Sequence, residues 1–331
     1  MLSLILLSAL ALALVFSFWT GFTDAAYATS GIIATRAMKP IHAIALSSVA
    51  SFIGMTMFGS AVAKTIGTGI ISQNITSGEV IIAALGGALV FDMIFSWIFS
   101  LPISETHVLI GGLIGAGGAA GGADVVQLEG IIKKVILPLI TSPFIAIIIT
   151  VLITALVIRI FRDYSSSKMN KYFKRLQIVS TFLFSITDAT NDAQKVMGII
   201  TVLLMYYGHL AEFSVPLWVA LISYVTISMG TLFGGWRIVK TMAKRITLIK
   251  PYQGFCSDLG SSIMLGVAAS MGMPVSSTHV ANGTIIGAGL TRGVKAVKWK
   301  TIRNIIWAWI LSAPLSAIFS FLIYKGIELV I

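Results

Sequence analysis

Leu101-Pro-Ile-Ser-Glu-Thr-His107-Val108 and Met273-Pro-Val-Ser-Ser-Thr-His279-Val280 are two copies of one pattern, Pro-x-Ser-x-Thr-His, each set between an apolar run and a short glycine-containing segment. Proline lacks an amide hydrogen and crowds the turn before it, so Pro102 and Pro274 read as stops for the preceding helix. Ser104, Thr106, Ser276, Ser277 and Thr278 are suited to capping the helix that follows. Free backbone N–H groups, hydroxyl donors and the positive end of a helix together form an anion site. Two such ends facing each other can surround one tetrahedral oxyanion.

Working outward, a second pair of motifs keeps the same order. Thr23-Asp24-Ala25-Ala26-Tyr27 weakly matches Asn191-Asp192-Ala193-Gln194-Lys195, and Lys64-Thr65-Ile66 corresponds to Lys240-Thr241-Met242. Asp24 precedes Ser104 by 80 residues and Asp192 precedes Ser276 by 84. The chain therefore reads as a duplication, with halves at 1–158 and 176–331 joined by a basic linker at 159–175.

Composition places both halves in a membrane. Of 331 residues, 57% are hydrophobic and only 11% charged, and the mean hydropathy is +0.96. A soluble domain carries about 25% charged residues, so a soluble globule is excluded. Apolar stretches recur at about 2–20, 25–35, 41–63, 80–100, 107–121, 131–160, 176–187, 195–207, 215–235, 253–272, 279–290 and 302–324, six on each side of the linker. About 20 apolar residues cross the hydrocarbon core, so the short stretches predict broken helices and re-entrant or hairpin segments. The expected fold is an all-α polytopic membrane protein. Residues 1–20 have no basic stretch before the apolar run and are expected to be the first membrane segment rather than a signal peptide.

The net charge of +11 arises from 23 Lys and Arg against 12 Asp and Glu. These basic residues fall mostly in short loops, which marks topology rather than nucleic-acid binding. Arg36 and Lys39 follow the first short segment, whereas the equivalent loop 208–214 has no Lys or Arg. Loop 237–250 holds Arg237, Lys240, Lys244, Arg245 and Lys250 against Lys64 alone in 63–79, and loop 291–303 is basic where 121–130 is not. Equivalent loops alternate in charge and so belong on opposite membrane faces, which makes the repeat an inverted one. Lys133-Lys134 is the exception, placed at the mouth of a helix. With the linker in the cytoplasm, both termini are expected on the extracytoplasmic side of the cell membrane.

Ionisable groups at membrane depth are costly and point to function. Asp24 and Asp192, with Thr23, Thr187, Asp188, Thr190 and Asn191 nearby in sequence, are expected to sit where helices break, offering oxygens to a hard cation such as sodium. Asn191 and Gln194 join the hydroxyl motifs as candidate anion ligands. His107 and His279 fit a structural role better than a proton relay. The glycines of 111–122 read as close helix packing. Asp92 and Asp258 find no counterpart at matching repeat positions. Cys256 is the single cysteine, which excludes an intramolecular disulfide.

The tracts GFTDAAYATSGIIATRAMKP from Gly21, TDATNDAQKVMGI from Thr187 and GGWRIVKTM from Gly234, with the two hydroxyl motifs, resemble bacterial members of the inorganic phosphate transporter (PiT) family. The resemblance covers nearly the whole chain. It implies an inverted-repeat carrier moving phosphate with sodium or protons and no other cofactor, commonly as a homodimer. The anion is then held by Ser104, Thr106, Ser276, Ser277 and Thr278, and the coupling cations by Asp24, Asn191 and Asp192. Three residues depart from the pattern. Tyr27 stands where the family usually has Asn. Lys195 occupies the matching position of the second half, where an ammonium replaces a cation or pairs with a carboxylate. Glu105 stands where a small hydroxyl residue is usual, and an ionised carboxylate there repels an anion unless protonated or paired.

The sequence thus predicts phosphate uptake by cation symport with alternating access. Sulfate is the closest rival substrate, and an anion channel a more distant one. Monohydrogen phosphate can donate a proton to a nearby carboxylate and sulfate cannot, so Asp24, Asp192 and Glu105 favour phosphate. An intramembrane hydrolase is disfavoured, because no Gly-x-Gly-Asp and no nucleophile–base pair is evident, and the chain does not read as an enzyme. Because Tyr27 and Lys195 replace neutral amides and Glu105 adds a titratable group, the expected coupling is by protons, alone or together with sodium.

Overall fold

In a computed structural model the described residues are 4–57, 59–99, 103–234 and 249–330. Pro102, Arg237, Lys244, Arg245, the Lys240-Thr241-Met242 element and most of the tract from Gly234 lie outside them. The described residues are nearly all helical. In chain order the elements are α1 (Leu4–Ala34), α2 (Pro40–Ile53), α3 (Ala61–Gly69), α4 (Gly78–Asp92, prolonged by a π-helical turn Met93–Ile98) and α5 (Glu105–Gly121). There follow α6 (Leu128–Ile160, with a π turn at Ile132–Ile136), α7 (Ser166–Tyr206), α8 (Leu217–Phe233), α9 (Pro251–Ser270), α10 (Ser277–Leu290) and α11 (Trp299–Glu328).

The polarity of the bundle is that of a membrane protein. α1, α4 with its extension, α6 and α11 are each long and apolar enough to cross a bilayer. Large apolar side chains face outward, among them Phe144, Ile148, Leu152 and Leu156 on α6 and Trp307, Ile310 and Leu322 on α11. Hydroxyls, carboxylates and an ammonium are buried inside. That distribution suits lipid as the outer solvent.

Two expected breaks do not occur. α1 runs uninterrupted through Asp24, and α7 continues through Asp188 and Asp192 over 41 residues. Residues 4–20 and 25–34 are on one helix, and 176–187 and 195–206 are on another. Neither region contains proline. Their hydroxyls fold back on helix carbonyls instead: Thr29 donates to Ala25, Thr187 to Leu183 and Phe184, and Thr190 to Ile186. Polar side chains satisfied along their own helix do not demand an unwound backbone. The basic stretch is also more helical than a linker. Ser165 caps α7, accepting from Lys168 N–H, so residues 166–175 already form its first turns.

Breaks occur elsewhere. Pro40–Thr56 and Ala61–Gly69 meet at 83°, Ser104 opens α5, and a turn with Gly272 at φ 68° separates α9 from the segment leading into α10.

Helices pack in reciprocal pairs. α5 lies along α11 and α10 along α6, α1 along α8 and α7 along α2, while α4 meets α5 as α9 meets α10. Small residues permit the closest approaches: Gly111 and Gly115 sit against the carbonyls of Ala313 and Ala317, as Gly283 and Gly287 do against those of Pro143 and Ile147. Each glycine pair lies 7 and 11 residues beyond its motif serine, Ser104 or Ser276. These contacts press α5 against α11 and α10 against α6.

Candidate functional site

Ser104 and Ser276 both have extended backbone immediately before a helix, and the side-chain oxygen of each accepts from the N–H three residues on, His107 or His279, at 3.3 Å. The two caps meet, Ser104 Oγ donating to Ser276 Oγ at 2.8 Å. The threonines cross over: Thr106 Oγ1 donates to the Val275 carbonyl at 3.1 Å, and Thr278 Oγ1 to the Ile103 carbonyl at 3.2 Å. Each motif therefore ties down the residue preceding the opposite serine. The result is two helix N-termini held head to head, with five buried hydroxyls from Ser104, Thr106, Ser276, Ser277 and Thr278 between them.

Acidic groups line this junction. Asp24 on α1 is within electrostatic reach of Glu105, Asp192 and Asp188, and Ser277 adjoins Asp188. Thr23 Oγ1 donates to Glu105 Oε1 at 2.5 Å. Lys195 pairs with Asp192 one turn earlier on α7 and donates to Thr106 Oγ1 at 2.6 Å. The ammonium thus engages Asp192 and Thr106 rather than Glu105. Both oxygens of Asp24, Oε2 of Glu105, Oδ1 of Asp188 and both amide atoms of Asn191 are buried without a protein partner. A buried, uncompensated charge costs several kcal/mol, so this corner is built to hold something more than its own side chains.

Thr23, Asp24, Ser104, Glu105, Thr106, Asp192, Lys195, Ser276, Ser277 and Thr278 converge here. Thr190 instead faces the Gly54 carbonyl at 3.3 Å, and Gln194 is turned away too. Its Oε1 accepts from Val62 N–H at 2.9 Å and so caps the start of α3. A residue two places beyond Asp192 on an unbroken helix points about 200° around the axis, away from the site. His107 and His279 stack edge-on with centroids 4.7 Å apart, behind the serine caps.

Asp188 proves to be a full member of the site. The signal was available: Asp188 and Asp192 are i and i+4 and share one face of a continuous helix. Asp92, without a counterpart in the repeat, accepts from Trp19 Nε1 at 2.5 Å and acts electrostatically on Glu105. Asp258 accepts from Thr181 at 2.7 Å and Ser180 at 3.4 Å, beside Tyr27, Ser30 and Ser257.

Among the described residues, no three His, Cys, Asp or Glu side chains form a metal-holding group. A hard cation at Asp24 would take its other ligands from hydroxyl, amide and backbone oxygens. Asp24, with both oxygens free, fits such an ion. Asp192 does not, because the Lys195 ammonium already lies against it.

A polar, doubly capped junction buried in an apolar helical bundle defines a membrane transport protein rather than an enzyme. Residues 20–320 match the phosphate transporter family, and the chain belongs to it. It is 42% identical over 327 residues to a probable low-affinity inorganic phosphate transporter of Rhizobium meliloti, covering 98% of this chain and 97% of that one. It is 40% identical to a protein of the same description from Bacillus subtilis, covering 92% of each. The fold matches a solved structure described as the sodium-dependent phosphate transporter, with a TM-score of 0.85 and 22% identity over 99% of this chain and 100% of that one.

Proposed function

We propose that this protein imports inorganic phosphate across the cell membrane by cation-coupled symport with alternating access. The observation that carries this reading is the Ser104–Ser276 contact, which brings two helix N-termini to one point. The phosphate oxygens accept from the motif hydroxyls, with Asn191 beside them, and the coupling cation sits at Asp24, Thr23 and the neighbouring oxygens. The halves, 1–158 and 176–331, form an inverted repeat, and the reciprocal helix pairs support that reading. The basic segment 159–175 faces the cytoplasm and both termini lie outside. The working unit is a homodimer, as the family resemblance implies.

Phosphate is favoured over sulfate by the free oxygens of Asp24 and Glu105, which can accept the proton of monohydrogen phosphate. The same two groups serve proton or sodium coupling. Radiolabelled phosphate and sulfate uptake into proteoliposomes, with sodium and proton gradients imposed separately, tests the proposal. Phosphate accumulation that follows one or both gradients is the expected result. Sulfate preference would change the substrate, and flux unaffected by either gradient would indicate a channel.

A further inference from the structure

We infer that Lys195 is a built-in cation, its ammonium holding the place beside Asp192 that an exchangeable coupling ion takes beside Asp24. This rests on the transport reading above and specifies its stoichiometry. The two aspartates occupy matching positions in the proposed repeat and lie within hydrogen-bonding reach of each other, yet only one has a cation of the protein beside it. Asp192 is in an ion pair whose two side chains are 1% and 3% exposed, whereas both oxygens of Asp24 are buried and unpartnered. The position corresponding to Lys195 in the first half is Tyr27, a neutral phenol that donates to the Ile103 carbonyl at 3.5 Å. No fixed positive charge is therefore supplied to Asp24 from its own motif.

The pairing is dictated locally. On the unbroken α7, residues three apart lie on one face, and the flexible lysine stem reaches back to the carboxylate. The same ammonium donates to Thr106 Oγ1, two residues from the Ser104 cap, so its charge stands at the wall of the anion site. A tethered ammonium neutralises Asp192 whether or not substrate is bound. Only the Asp24 side then gains and loses a cation in each cycle, and the transporter moves one coupling ion fewer per anion than its two aspartates would otherwise bind. The empty carrier also reorients without a second bare carboxylate to desolvate, which is the costly species in an apolar surround.

The test is the coupling ratio, read as the zero-flux voltage for inorganic phosphate in proteoliposomes of clamped potential, under sodium and under proton gradients. Lys195→Asn should raise the ratio by about one cation per anion, since Asp192 then needs an exchangeable partner. The double variant Asp192→Asn/Lys195→Asn should return it to the wild-type value, and Lys195→Arg should leave it there. A Lys195→Asn protein that moves phosphate at the wild-type ratio overturns the inference. Should the lysine variants fail to fold, calorimetric phosphate binding to the double variant Asp24→Asn/Glu105→Gln decides. The built-in cation predicts no remaining sodium dependence and no proton dependence beyond the titration of phosphate itself, and a residual saturable dependence overturns it. Absence of phosphate uptake by the unmodified protein would instead remove the transport reading itself, and this inference with it.

Discussion

The two hydroxyl motifs share a backbone and differ in charge. At α5 and α10 the caps, the crossed threonine bonds and the glycine contacts correspond residue for residue. Around that shared frame the first half supplies Glu105, Asp24 and Tyr27, and the second supplies Ser277, Asp192 and Lys195. One carboxylate is left open and the other is closed by an ammonium. On the proposed reading, duplication preserves what positions the anion, where two equal ends are needed to surround it. It leaves free to diverge what balances charge, where only the sum over the site is constrained.

The comparison breaks most readily at the aspartates. Asp24→Asn removes the open carboxylate, and loss of about 3 kcal/mol of cation binding should lower uptake roughly 100-fold. Uptake by this variant with unchanged cation dependence would refute the cation assignment. Asp192→Asn strands the Lys195 ammonium and should slow transport strongly while leaving the ion dependence in place.

The serines should behave alike. Ser104→Ala and Ser276→Ala each delete one hydroxyl donor to a charged ligand, worth about 1.5 kcal/mol or more, so KM should rise roughly tenfold in both with insertion intact. Markedly unequal effects would mean that the anion sits closer to one helix end.

Glu105 has no acidic counterpart in the second half. Glu105→Gln keeps the length of the side chain and its bond with Thr23 while removing the charge, with an effect on maximal rate of about threefold. If Glu105 carries a proton, uptake in this variant no longer responds to an imposed pH gradient. Loss of thermal stability with the pH response intact would instead assign it a packing role.

The smallest change is expected at Gln194. Gln194→Ala removes the cap on Val62 N–H, which should lower stability by about 1 kcal/mol and leave KM within roughly twofold of wild type. A large rise in KM would restore Gln194 to the anion site.

Much of this protein was legible before any coordinates. The paired Pro-x-Ser-x-Thr-His motifs disclosed the caps, because capping is local chemistry readable from residue types a few positions apart. Hydropathy disclosed the apolar helices suited to a membrane, and the repeated motif disclosed the correspondence of the two serine caps. The breaks expected at Asp24 and Asp192 were not found, because the fate of a polar residue in an apolar run depends on its partners. Here Thr29, Thr187 and Thr190 are satisfied along their own helices, which therefore need not unwind. That continuity in turn brought Asp188 into the site and turned Gln194 out of it.

What the sequence by itself determined is therefore the inventory: two hydroxyl caps, two aspartates, one lysine and one glutamate in an apolar chain with two copies of one motif. The continuity of α7 then sets the Lys195 ammonium against Asp192 locally, three residues apart. Only the tertiary structure decided what surrounds that pair: which carboxylates of α1 and α5 are left open, and that Ser104 meets Ser276, 172 residues away. Coulomb energy depends on through-space distance and is large in a low-dielectric interior, so the order of these residues along the chain carries no information about it.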